Sequence, residues 1–442
     1  MNKTEFFQML ETQGMALTYD DVRLKSDYSE VLPGEVDLES RFSHNIKLKI
    51  PIVSAAMDTV TEHKMAIELA KLGGIGVIHR SFTAEKQAAE VAKVKYHLNG
   101  LIEKPICVFE NESIEVVLNR KNSKGYSFDT FPVINPDGKL VGVLTKNDFE
   151  FCDKLESKVK DVMSTPVITG MQETTLDEAY EIMKSQKKKV LPLIDKSRQV
   201  SGMYIFSDLK RIKTGSNKNY NLDAHGQLIV AAAIGVYDDA LLRIEKLLAE
   251  KVDAVVIDTA HGDSKAVIET LKNIKKTYPN LEVIVGNISE ASSAKRLAEA
   301  GADGIKVGQG PGSICTTRII AGIGCPQLTA VYQCTKEAEK FNIPVCADGG
   351  IKYSGDITIA IGAGAHNVML GNLLAGCKET PGDIVFWNGR QWKSYRGMGS
   401  LGAMEAYQSS RERYGQKNTD KLIPEGVEGL IHISEISWEK VS

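Results

Sequence analysis

The chain has 442 residues, with 54 Lys and Arg against 57 Asp and Glu, so its charge is nearly balanced. This length exceeds the size at which one hydrophobic core usually stops growing, which predicts a large domain with a second unit. The balanced charge excludes an electrostatic preference for nucleic acid or an anionic membrane as the main partner. We therefore expect a protein that acts on small ligands.

The start of the chain and its cysteines indicate the compartment. Residues 1–10 are polar and lack the basic and apolar blocks of a secretory signal, and the most apolar run, 228–236, is too short to span a bilayer. The seven cysteines are odd in number and lack CxxC spacing, which argues against a disulfide framework and a zinc site. These features predict a cytoplasmic protein without a membrane segment.

Short apolar runs separated by helical patterns recur along most of the chain. Each run is continuously apolar rather than alternating, as expected of parallel strands that are buried on both faces. The number of such β/α units predicts a TIM (β/α)8 barrel of the α/β class, with an open doubly wound sheet as the alternative because counting does not prove closure. The predicted strands are 50–57, 74–79, 228–235, 253–260, 281–287, 304–308, 343–350 and 366–371.

One connecting helix, predicted within 289–304, has recognisable ends. Ser289 is a candidate cap for its amino end, and Gly301 is a candidate stop at its carboxyl end. Ala294 and Leu297 share one face, which we expect to pack on the sheet.

The series of strands is interrupted between His79 and Leu228 by a segment with its own internal repeat. Residues 131–151 and 191–211 align without gaps at an offset of 60 residues. Each copy predicts a strand, a turn, a strand and an acidic residue opening a helix, so the two copies should pack together as one module. The predicted domains are a first barrel segment at 1–92, the insertion at 93–214 and a second barrel segment at 215–442.

The repeat resembles a pair of CBS motifs, the Bateman module that binds adenine or guanine nucleotides. In that family an Asp at the positions of Asp148 and Asp208 contacts ribose, usually with a Ser or Thr three residues earlier. Thr145 fits this pattern in the first copy, whereas Ile205 stands at the corresponding position of the second. The chain upstream of the first copy is irregular for such a unit. The resemblance implies regulatory ATP or GTP binding through both Asp residues, and the alternative is that both only cap helices.

A glycine-rich loop that contains Cys315 follows the predicted strand 304–308. The loop therefore lies at the carboxyl end of a barrel strand, where the chemistry of TIM barrels occurs. Its glycines allow backbone conformations in which amides or carbonyls converge on an ion, and Ser313 adds a hydroxyl donor. Cys315 is a candidate nucleophile activated by nearby amide dipoles, and the alternative is a small residue in a tight turn.

Two further glycine-rich loops, 347–356 and 370–376, follow the seventh and eighth predicted strands. Barrels of this type commonly hold a phosphate there on glycine amides and a helix start. Asp348, beside these glycines, is placed to bind ribose hydroxyls. The predicted ligand is a nucleoside monophosphate whose base reaches towards Cys315.

Several segments together resemble the family formed by IMP dehydrogenase and GMP reductase. The match covers nearly the whole chain, including the position of the insertion, and the combination of motifs is specific for this family. The matching segments are LTYDDVRL (17–24), PIVSAAMDTVTE (51–62), GGIGVIH (73–79), DTAHG (258–262), GADGIKVGQGPGSICTTR (301–318), ADGGIKYSGD (347–356) and YRGMGSLGAM (395–404).

Within this family the resemblance favours IMP dehydrogenase, an NAD-dependent oxidoreductase of guanine nucleotide biosynthesis. It implies that Cys315 attacks C2 of IMP while hydride passes to NAD, which gives a covalent thioimidate of XMP. A mobile flap then displaces the reduced cofactor, and water hydrolyses the adduct. Covalent capture divides a difficult oxidation and hydrolysis into two easier steps. The family also implies a homotetramer.

The resemblance assigns roles to further residues of the site. Thr317, Arg413 and Tyr414 join Cys315 as catalytic residues, and either Arg413 or the Thr317–Glu425 pair takes a proton during hydrolysis. A guanidinium normally stays protonated, so Arg413 is a base only if the closed site strongly disfavours its charge. The remaining implied contacts are Ser313, Gly350, Gly371 and Tyr395 for the phosphate of IMP, Asp348 for its ribose, Met398 and Gly399 for its base, Glu425 beside the substrate, Asp258, Asn287 and Gly308 for NAD, and the carbonyls of Gly310, Gly312 and Cys315 for potassium.

Two segments favour the dehydrogenase over the reductase. The motif MDTVTE (57–62) ends in Thr-Glu, where reductases more usually continue with Gly after the Val. The segment at about 400–429 resembles the dehydrogenase flap, with Arg413 and Tyr414 as its Arg-Tyr pair and Glu425 in its PEG motif. GMP reductase, which deaminates GMP to IMP with NADPH, is the alternative. A catalytically weak nucleotide-binding paralogue is the second alternative.

The chain departs from the family pattern at a few positions. Gln309 replaces a usual apolar residue, Asn372 stands where a phosphate-binding Ser is usual, and Asp263 stands where dehydrogenases often have His. The family continues after its flap with a glycine-rich segment that completes the potassium site of a neighbouring subunit, whereas this sequence ends at Ser442. We therefore expect weakened potassium activation.

Overall fold

The chain divides into two units in a computed structural model that describes residues 2–98, 101–102, 105–124, 128–152, 154–213, 218–419 and 421–432. The first unit is Met1–His97 together with Asn219–Ser442, and the second is Leu98–Lys218. The helix Ala84–Lys95 lies wholly in the first unit, so the predicted boundary before residue 93 falls inside a helix. In the described residues no helix is long and apolar enough to cross a bilayer.

Eight parallel strands of the first unit close into a barrel. Every predicted strand is present and overlaps its predicted range, which confirms the TIM barrel and excludes the open sheet. Leu370 pairs with Ser54 and Val230 pairs with Gly76, and these pairs join the two strands before the insertion to the six after it. The barrel strands are Ile52–Ser54, Ile75–Ile78, Val230–Ile234, Ala254–Asp258, Glu282–Ile288, Gly304–Val307, Val345–Asp348 and Asn367–Leu370.

The strands are continuously apolar because both of their faces are buried. All residues of Val230–Ile234 and Ala254–Asp258 are buried, including the terminal aspartate. Alternate residues of the strands, such as Ala231 and Ala233, form the cluster inside the barrel, while the other face packs under the helices. A charged residue in these strands must therefore find its partner inside the protein.

Helices follow the barrel strands and cover the outside of the barrel. Glu290, and not Ser289 as predicted, occupies the N-cap position of the helix Ala291–Glu299, and it makes no side-chain capping hydrogen bond. The Ser289 hydroxyl instead donates to Gln309 Oε1 at 2.7 Å. The helix ends before Gly301, whose φ of +100° favours glycine, as predicted. The helices of this unit are Lys3–Thr12, His63–Lys71, Ala84–Lys95, Tyr237–Ala249, Lys265–Thr277, Ala291–Glu299, Thr317–Ile320, Gln327–Ala338, Ser354–Ala363, Asn372–Ala375, Leu401–Ala406 and Gln408–Arg413. Single turns of 3-10 helix lie at Tyr19–Asp21, Pro33–Glu35, Tyr96–Leu98 and Glu339–Phe341.

Small antiparallel sheets complete the first unit. Ser40–Arg41 pairs with Lys47–Leu48, ahead of the first barrel strand. Arg390–Arg396 pairs with Val385–Trp387 on one side and with Glu428–His432 on the other. Since Arg396 lies opposite Glu428, the chain segment between them, residues 397–427, leaves this sheet and returns to it at the same point. The segment predicted as the flap is therefore a loop with a paired base.

The second unit contains two halves with the same order of strand, helix, strand, strand and helix, which confirms the internal repeat. Pro132 pairs with Val143 as Pro192 pairs with Met203, and both hairpins shift register before the last residue of their first strand. The strands are Leu101–Ile102, Val108–Phe109, Phe131–Ile134, Leu140–Leu144, Gly170–Met171, Val190–Ile194 and Val200–Ile205, and the helices are Ile114–Lys124, Lys146–Glu150, Val159–Val162, Leu176–Ser185 and Phe206–Lys213.

The described residues upstream of the first copy form the same kinds of elements as the second half, contrary to the sequence interpretation. Its strand Val108–Phe109 runs parallel to Phe131–Ile134, as Gly170–Met171 runs parallel to its own partner in the second half. These strands have only two residues each, which is too short to give an apolar pattern. Lys139 forms an isolated bridge with Gln199, the residue at its own position in the other copy, so equivalent positions of the two halves meet.

Candidate active site

A cavity of about 500 Å³ lies at the carboxyl ends of the barrel strands. It contains every residue predicted for catalysis, for substrate, for NAD and for potassium except Gly399. Gly399 is not part of the lining, but a Cβ added to it would lie 2.7 Å from Cζ of Tyr414, which lines the cavity. The predicted residues that line the cavity are Asp258, Asn287, Gly308, Gly310, Gly312, Ser313, Cys315, Thr317, Asp348, Gly350, Gly371, Tyr395, Met398, Arg413, Tyr414 and Glu425.

The Cys315 thiol begins a line of hydrogen bonds. Its Sγ donates to Thr317 Oγ1 at 3.3 Å, and Thr317 Oγ1 donates to Glu425 Oε2 at 3.0 Å. The thiol comes from the loop after a barrel strand and the hydroxyl from the first residue of the helix that follows this loop, whereas the carboxylate comes from the flap. Such a line can carry a proton from the thiol, or from a water beside it, to the carboxylate.

Main-chain hydrogen bonds fix the flap against the cysteine loop. The Thr316 amide donates to the Glu425 carbonyl at 3.0 Å, and the Val427 amide donates to the Ile314 carbonyl at 2.9 Å. Gly426, between them, lies opposite Cys315 in an antiparallel bridge. The position of the Glu425 side chain is therefore set by the backbone on both sides of it.

Arg413 of the flap forms an ion pair with Asp258, the last residue of a barrel strand. Only 14% of the Arg413 side chain and 9% of the Asp258 side chain are exposed. Burial alone would lower the pKa of Arg413, but the Asp258 carboxylate outweighs this and raises it above its ordinary value. The guanidinium is therefore charged in this arrangement, which is unsuitable for a general base.

Lys306 lies at the floor of the cavity, although the sequence analysis did not single it out. Its Nζ is 2.9 Å from Asp258 Oδ1 and 2.7 Å from Asp348 Oδ2, and it also contacts Asn287 Oδ1. Burial would lower the pKa of Lys306, but the two carboxylates outweigh this and raise it. A lysine in the apolar run GIKVG (304–308) was the available signal, because a buried lysine requires partners.

Asp258 and Asn287 connect this floor to the cysteine loop. Burial would raise the pKa of Asp258, but Arg413 and Lys306 outweigh this and hold it well below its usual range. Asn287 Nδ2 donates to the Gly308 carbonyl at 2.7 Å and to Asp348 Oδ2 at 2.9 Å. The residues predicted for NAD and for the ribose of IMP are thus in direct contact.

The residues predicted to hold the phosphate lie in another part of the same cavity. The Tyr395 hydroxyl is hydrogen-bonded to Ser313, and burial raises the pKa of Tyr395 to about 12. Asn372 Nδ2 donates to Ser313 Oγ at 3.2 Å. A Cβ at Gly371 would lie 3.1 Å from the Tyr395 hydroxyl, so the backbone approaches this corner closely. The corner offers hydroxyl, amide and backbone donors to an anion.

Tyr19 is a second residue whose position the sequence analysis did not anticipate. It belongs to the matching segment LTYDDVRL, and a Cβ at Gly350 would lie 3.3 Å from its ring atom Cε2. Gly350 has a φ of +82°, which favours glycine. Burial raises the pKa of Tyr19 above its ordinary value. The Tyr19 ring therefore supports the glycine loop from outside the cavity.

The family of the chain follows from comparison with known proteins. Residues 16–436 match the model of the IMP dehydrogenase / GMP reductase domain. The chain belongs to this family.

Curated relatives and solved structures represent both branches of the family. The IMP dehydrogenase of Halalkalibacterium halodurans is 47% identical over 421 residues, which are 95% of this chain and 85% of the relative. That of Bacillus subtilis is 46% identical over 417 residues, which are 93% of this chain and 84% of the relative. A GMP reductase of Trypanosoma brucei, with a cysteine-to-alanine substitution and in complex with guanosine 5'-monophosphate, has a TM-score of 0.86 at 38% identity, covering 96% of this chain and 88% of that chain.

The departures from the pattern of the IMP dehydrogenase / GMP reductase family have specific contacts. Gln309 accepts a hydrogen bond from Ser289 Oγ at 2.7 Å, and its Nε2 lies 3.0 Å from His261 Nδ1. It thereby connects the loops after three successive barrel strands. Asp263 pairs with Arg296 and is absent from the lining of the cavity.

The predicted regulatory residues lie in the second unit and differ from each other. Asp148 Oδ2 accepts hydrogen bonds from the Thr145 amide at 2.6 Å and from the Thr145 hydroxyl at 2.8 Å, which forms a capping box. Asp208 pairs with Arg211, and burial raises the pKa of Asp208. The contacts of Asp148 are therefore those of a helix cap, whereas Asp208 forms an ion pair within its helix.

Proposed function

We propose that this protein is an IMP dehydrogenase that oxidises IMP to XMP with NAD. The observation that carries the proposal is the line from the Cys315 thiol through Thr317 to Glu425 of the flap. This line shares its cavity with Arg413 and Asp258 and with the Ser313–Tyr395 corner. The identity of 46–47% to named IMP dehydrogenases, over more than nine-tenths of this chain, supports the same conclusion.

In the first step Cys315 forms a bond to C2 of IMP, and C2 loses hydride to NAD. The products are a thioimidate on Cys315, NADH and the proton of the thiol, which is released to solvent. In the second step water adds to C2, the bond from carbon to sulfur breaks, and XMP leaves. The sulfur recovers a proton, so the enzyme is regenerated.

Arg413 and the dinucleotide compete for Asp258 in this proposal. Asp258 lies at the wall assigned to NAD, and Arg413 already occupies its carboxylate. Hydride transfer therefore requires the flap to leave Asp258, and hydrolysis follows when the flap returns. Since the pKa of Arg413 is raised in the closed arrangement, we assign proton removal from water to Thr317 and Glu425 and the neutralisation of Asp258 to Arg413.

The contacts of IMP follow from the two ends of the cavity. We assign its phosphate to Ser313, Gly350, Gly371 and Tyr395, where donors and close-lying backbone meet in one corner of the cavity. Asp348 would accept the ribose hydroxyls. Met398 would lie against the base, and Gly399, which is outside the lining, would support this side of the site through its close approach to Tyr414.

Potassium would bind to the carbonyls of Gly310, Gly312 and Cys315. Neutral carbonyl oxygens are the ligands that potassium channels present to this ion, so the donor set fits. The Gly312 carbonyl accepts the Cys315 amide at 3.1 Å, and its second lone pair is available to a cation. The ion would fix the carbonyls of the loop that presents the nucleophile. A dependence of turnover on potassium over sodium is the test.

The second unit would act as a CBS pair that binds ATP or GTP through Asp148 and Asp208. Its two halves repeat the same order of elements and meet at equivalent positions. A thermal shift with either nucleotide at millimolar concentration is expected, and its absence with both would contradict the assignment. We further propose a homotetramer located in the cytoplasm, where the seven free thiols would stay reduced.

GMP reductase is the second candidate, because the Trypanosoma brucei enzyme has a TM-score of 0.86 over 96% of this chain. Absorbance at 340 nm separates the two. NADH formation from IMP and NAD, lost in Cys315→Ala, supports the dehydrogenase. Consumption of NADPH with GMP would support the reductase instead of the dehydrogenase. If neither activity is found, the nucleotide-binding paralogue is the remaining assignment.

A further inference from the structure

Lys306 is a buried cation shared by the two carboxylates of the site. Only 3% of its side chain is exposed, and its partners come from the ends of other barrel strands. Its Nζ lies 2.9 Å from Asp258 Oδ1 and 2.7 Å from Asp348 Oδ2. One ammonium group therefore bridges the aspartate assigned to NAD and the aspartate assigned to the ribose of IMP.

The contacts of Asp258 are divided between its two oxygens. Oδ1 faces Lys306, and Oδ2 faces Arg413. When the flap opens and Arg413 departs, the Lys306 contact on Oδ1 is retained because both residues belong to barrel strands. The carboxylate therefore has a counter-ion in both states of the flap. Without one, a carboxylate at a buried position gains a proton more readily.

The contacts of Asp348 leave one oxygen for the ligand. In the described part of the chain, Lys306 and Asn287 both make their hydrogen bonds to Oδ2. Oδ1 is thus left to accept a hydroxyl. A carboxylate accepts hydroxyl hydrogen bonds at both oxygens only when it is ionised. The orientation of the Asp348 carboxylate therefore depends on the same ammonium group.

We propose that Lys306 is a positioning residue, a fixed counter-cation that stays on Asp258 while Asp258 exchanges Arg413 for the dinucleotide, and that holds the Asp348 carboxylate in place for the ribose. This inference rests on the proposed function, because it assumes that both ligands bind to these carboxylates. A side chain that contacts neither the thiol nor Glu425 would thereby control the binding of both ligands.

The test replaces Lys306 by Met, which keeps the length of the side chain and removes its charge. Removing a cation from a carboxylate raises the pKa of that carboxylate. The acid limb of the pH profile, which is the range in which kcat/KM falls as the pH is lowered, therefore moves to higher pH. Opposite charges at these distances shift a pKa by about one to three units, and we expect the limb to move by that amount. The limb of kcat/KM for IMP reports the free enzyme, and that for NAD reports the complex with IMP. The limb for NAD is expected to move, and KM for IMP is expected to rise because Asp348 loses a hydrogen-bond partner.

Lys275→Met is the matched control. Lys275 Nζ lies 2.8 Å from Asp303 Oδ2 in the same unit, and neither residue lines the cavity. We expect it to lower the thermal stability and leave both limbs in place. Lys306→Arg, which keeps the charge, should keep the limbs near those of the wild type while changing KM. Lys306→Gln provides a second neutral variant if the Met variant does not fold, since its amide still donates a hydrogen bond.

The outcomes separate this inference from the proposed function. The role of counter-cation would be overturned if the acid limb of kcat/KM for NAD lies at the same pH in the wild type and in Lys306→Met or Lys306→Gln, whatever the loss of rate. An equal shift in Lys275→Met would assign the effect to stability and would also overturn it. Failure of the wild type to form NADH from IMP would instead contradict the proposed function.

Discussion

Arg413 Nη1 lies 3.3 Å from the main-chain carbonyl of Asp258 and also pairs with the carboxylate of that residue. The Arg413 side chain thus contacts both the carbonyl and the carboxylate of the last residue of this barrel strand. In the proposed function the same aspartate also binds NAD, so the closed flap and the bound dinucleotide would exclude each other. The proposed reaction would thereby be divided into an open stage and a closed stage.

Arg413→Ala is expected to separate these stages. Hydride transfer needs Asp258 free of Arg413 and should continue, whereas hydrolysis should slow by about a hundredfold or more because the closed flap loses its anchor. A rapid burst of NADH followed by slow turnover is the expected stopped-flow trace. Arg411→Ala, on the same helix, is the control, since Arg411 donates to the Met404 carbonyl at 2.7 Å. A burst in both variants, or in neither, would contradict the assignment.

Glu425→Gln tests the line of hydrogen bonds from Cys315. The amide still reaches Thr317 but cannot take its proton, so the hydrolysis rate should fall by about a hundredfold at neutral pH. The measurement is steady-state NADH formation together with quenched-flow detection of the covalent adduct, which should accumulate. Glu405→Gln, an exposed residue of the preceding helix, should have no effect. Unchanged turnover in Glu425→Gln would exclude this carboxylate as the proton acceptor.

Gly399→Ala tests the packing of the flap. The new Cβ would lie 2.7 Å from Cζ of Tyr414, so the ring or the flap must move. Displacement of catalytic groups by this amount costs about ten- to a hundredfold in rate, and we expect the loss in hydrolysis rather than in the NADH burst. Gly429→Ala is the control, because nothing lies within 4 Å of its added Cβ. Equal rates in the two variants would show that this contact is not needed.

His366 gives the barrel a stability that depends on pH. Its Nδ1 accepts the Val345 amide at 3.2 Å, and burial, with a contribution from Arg41, lowers its pKa from 6.5 to about 4. Since the folded state favours the neutral ring, the contribution is complete above pH 6.5 and is lost as the pH falls towards about 4. The free energy of unfolding in urea, measured across this range, should decline.

The comparison that isolates this effect is His366→Gln with His225→Gln. The first variant should flatten the decline, because its side chain does not titrate. The second removes an exposed histidine and should keep the slope of the wild type. Parallel slopes in His366→Gln and the wild type would show that other groups control the acid loss of stability.

The sequence was sufficient for the barrel because each strand carries its own signal. The continuous apolar runs and the glycine stops are local patterns, and parallel strands buried on both faces impose them. The glycine-rich loops with Cys315 and Asp348 could be found for the same reason. Ser289 was misassigned as a cap because a hydroxyl has the same sequence signal whether it bonds its own helix or Gln309.

Contacts between residues far apart in the chain could not be predicted from local patterns. The pairing of Thr317 with Glu425 joins residues separated by 108 positions, and the support of Gly350 by Tyr19 joins the two chain segments that make up the first unit. Lys306 was missed because a single charged residue in an apolar strand reveals burial but not its partners. The carboxylates that pair with Lys306 can be identified only in the folded barrel, which brings three strand ends together.

The mass of the protein after incubation with IMP and NAD tests the covalent step most directly. In Arg413→Ala, quenched during the burst, the account predicts an added mass equal to IMP less two hydrogens. Proteolysis should place it on the peptide that contains Cys315, and Cys315→Ala should lack it. NADH formation without any adduct on that peptide would contradict covalent catalysis by Cys315.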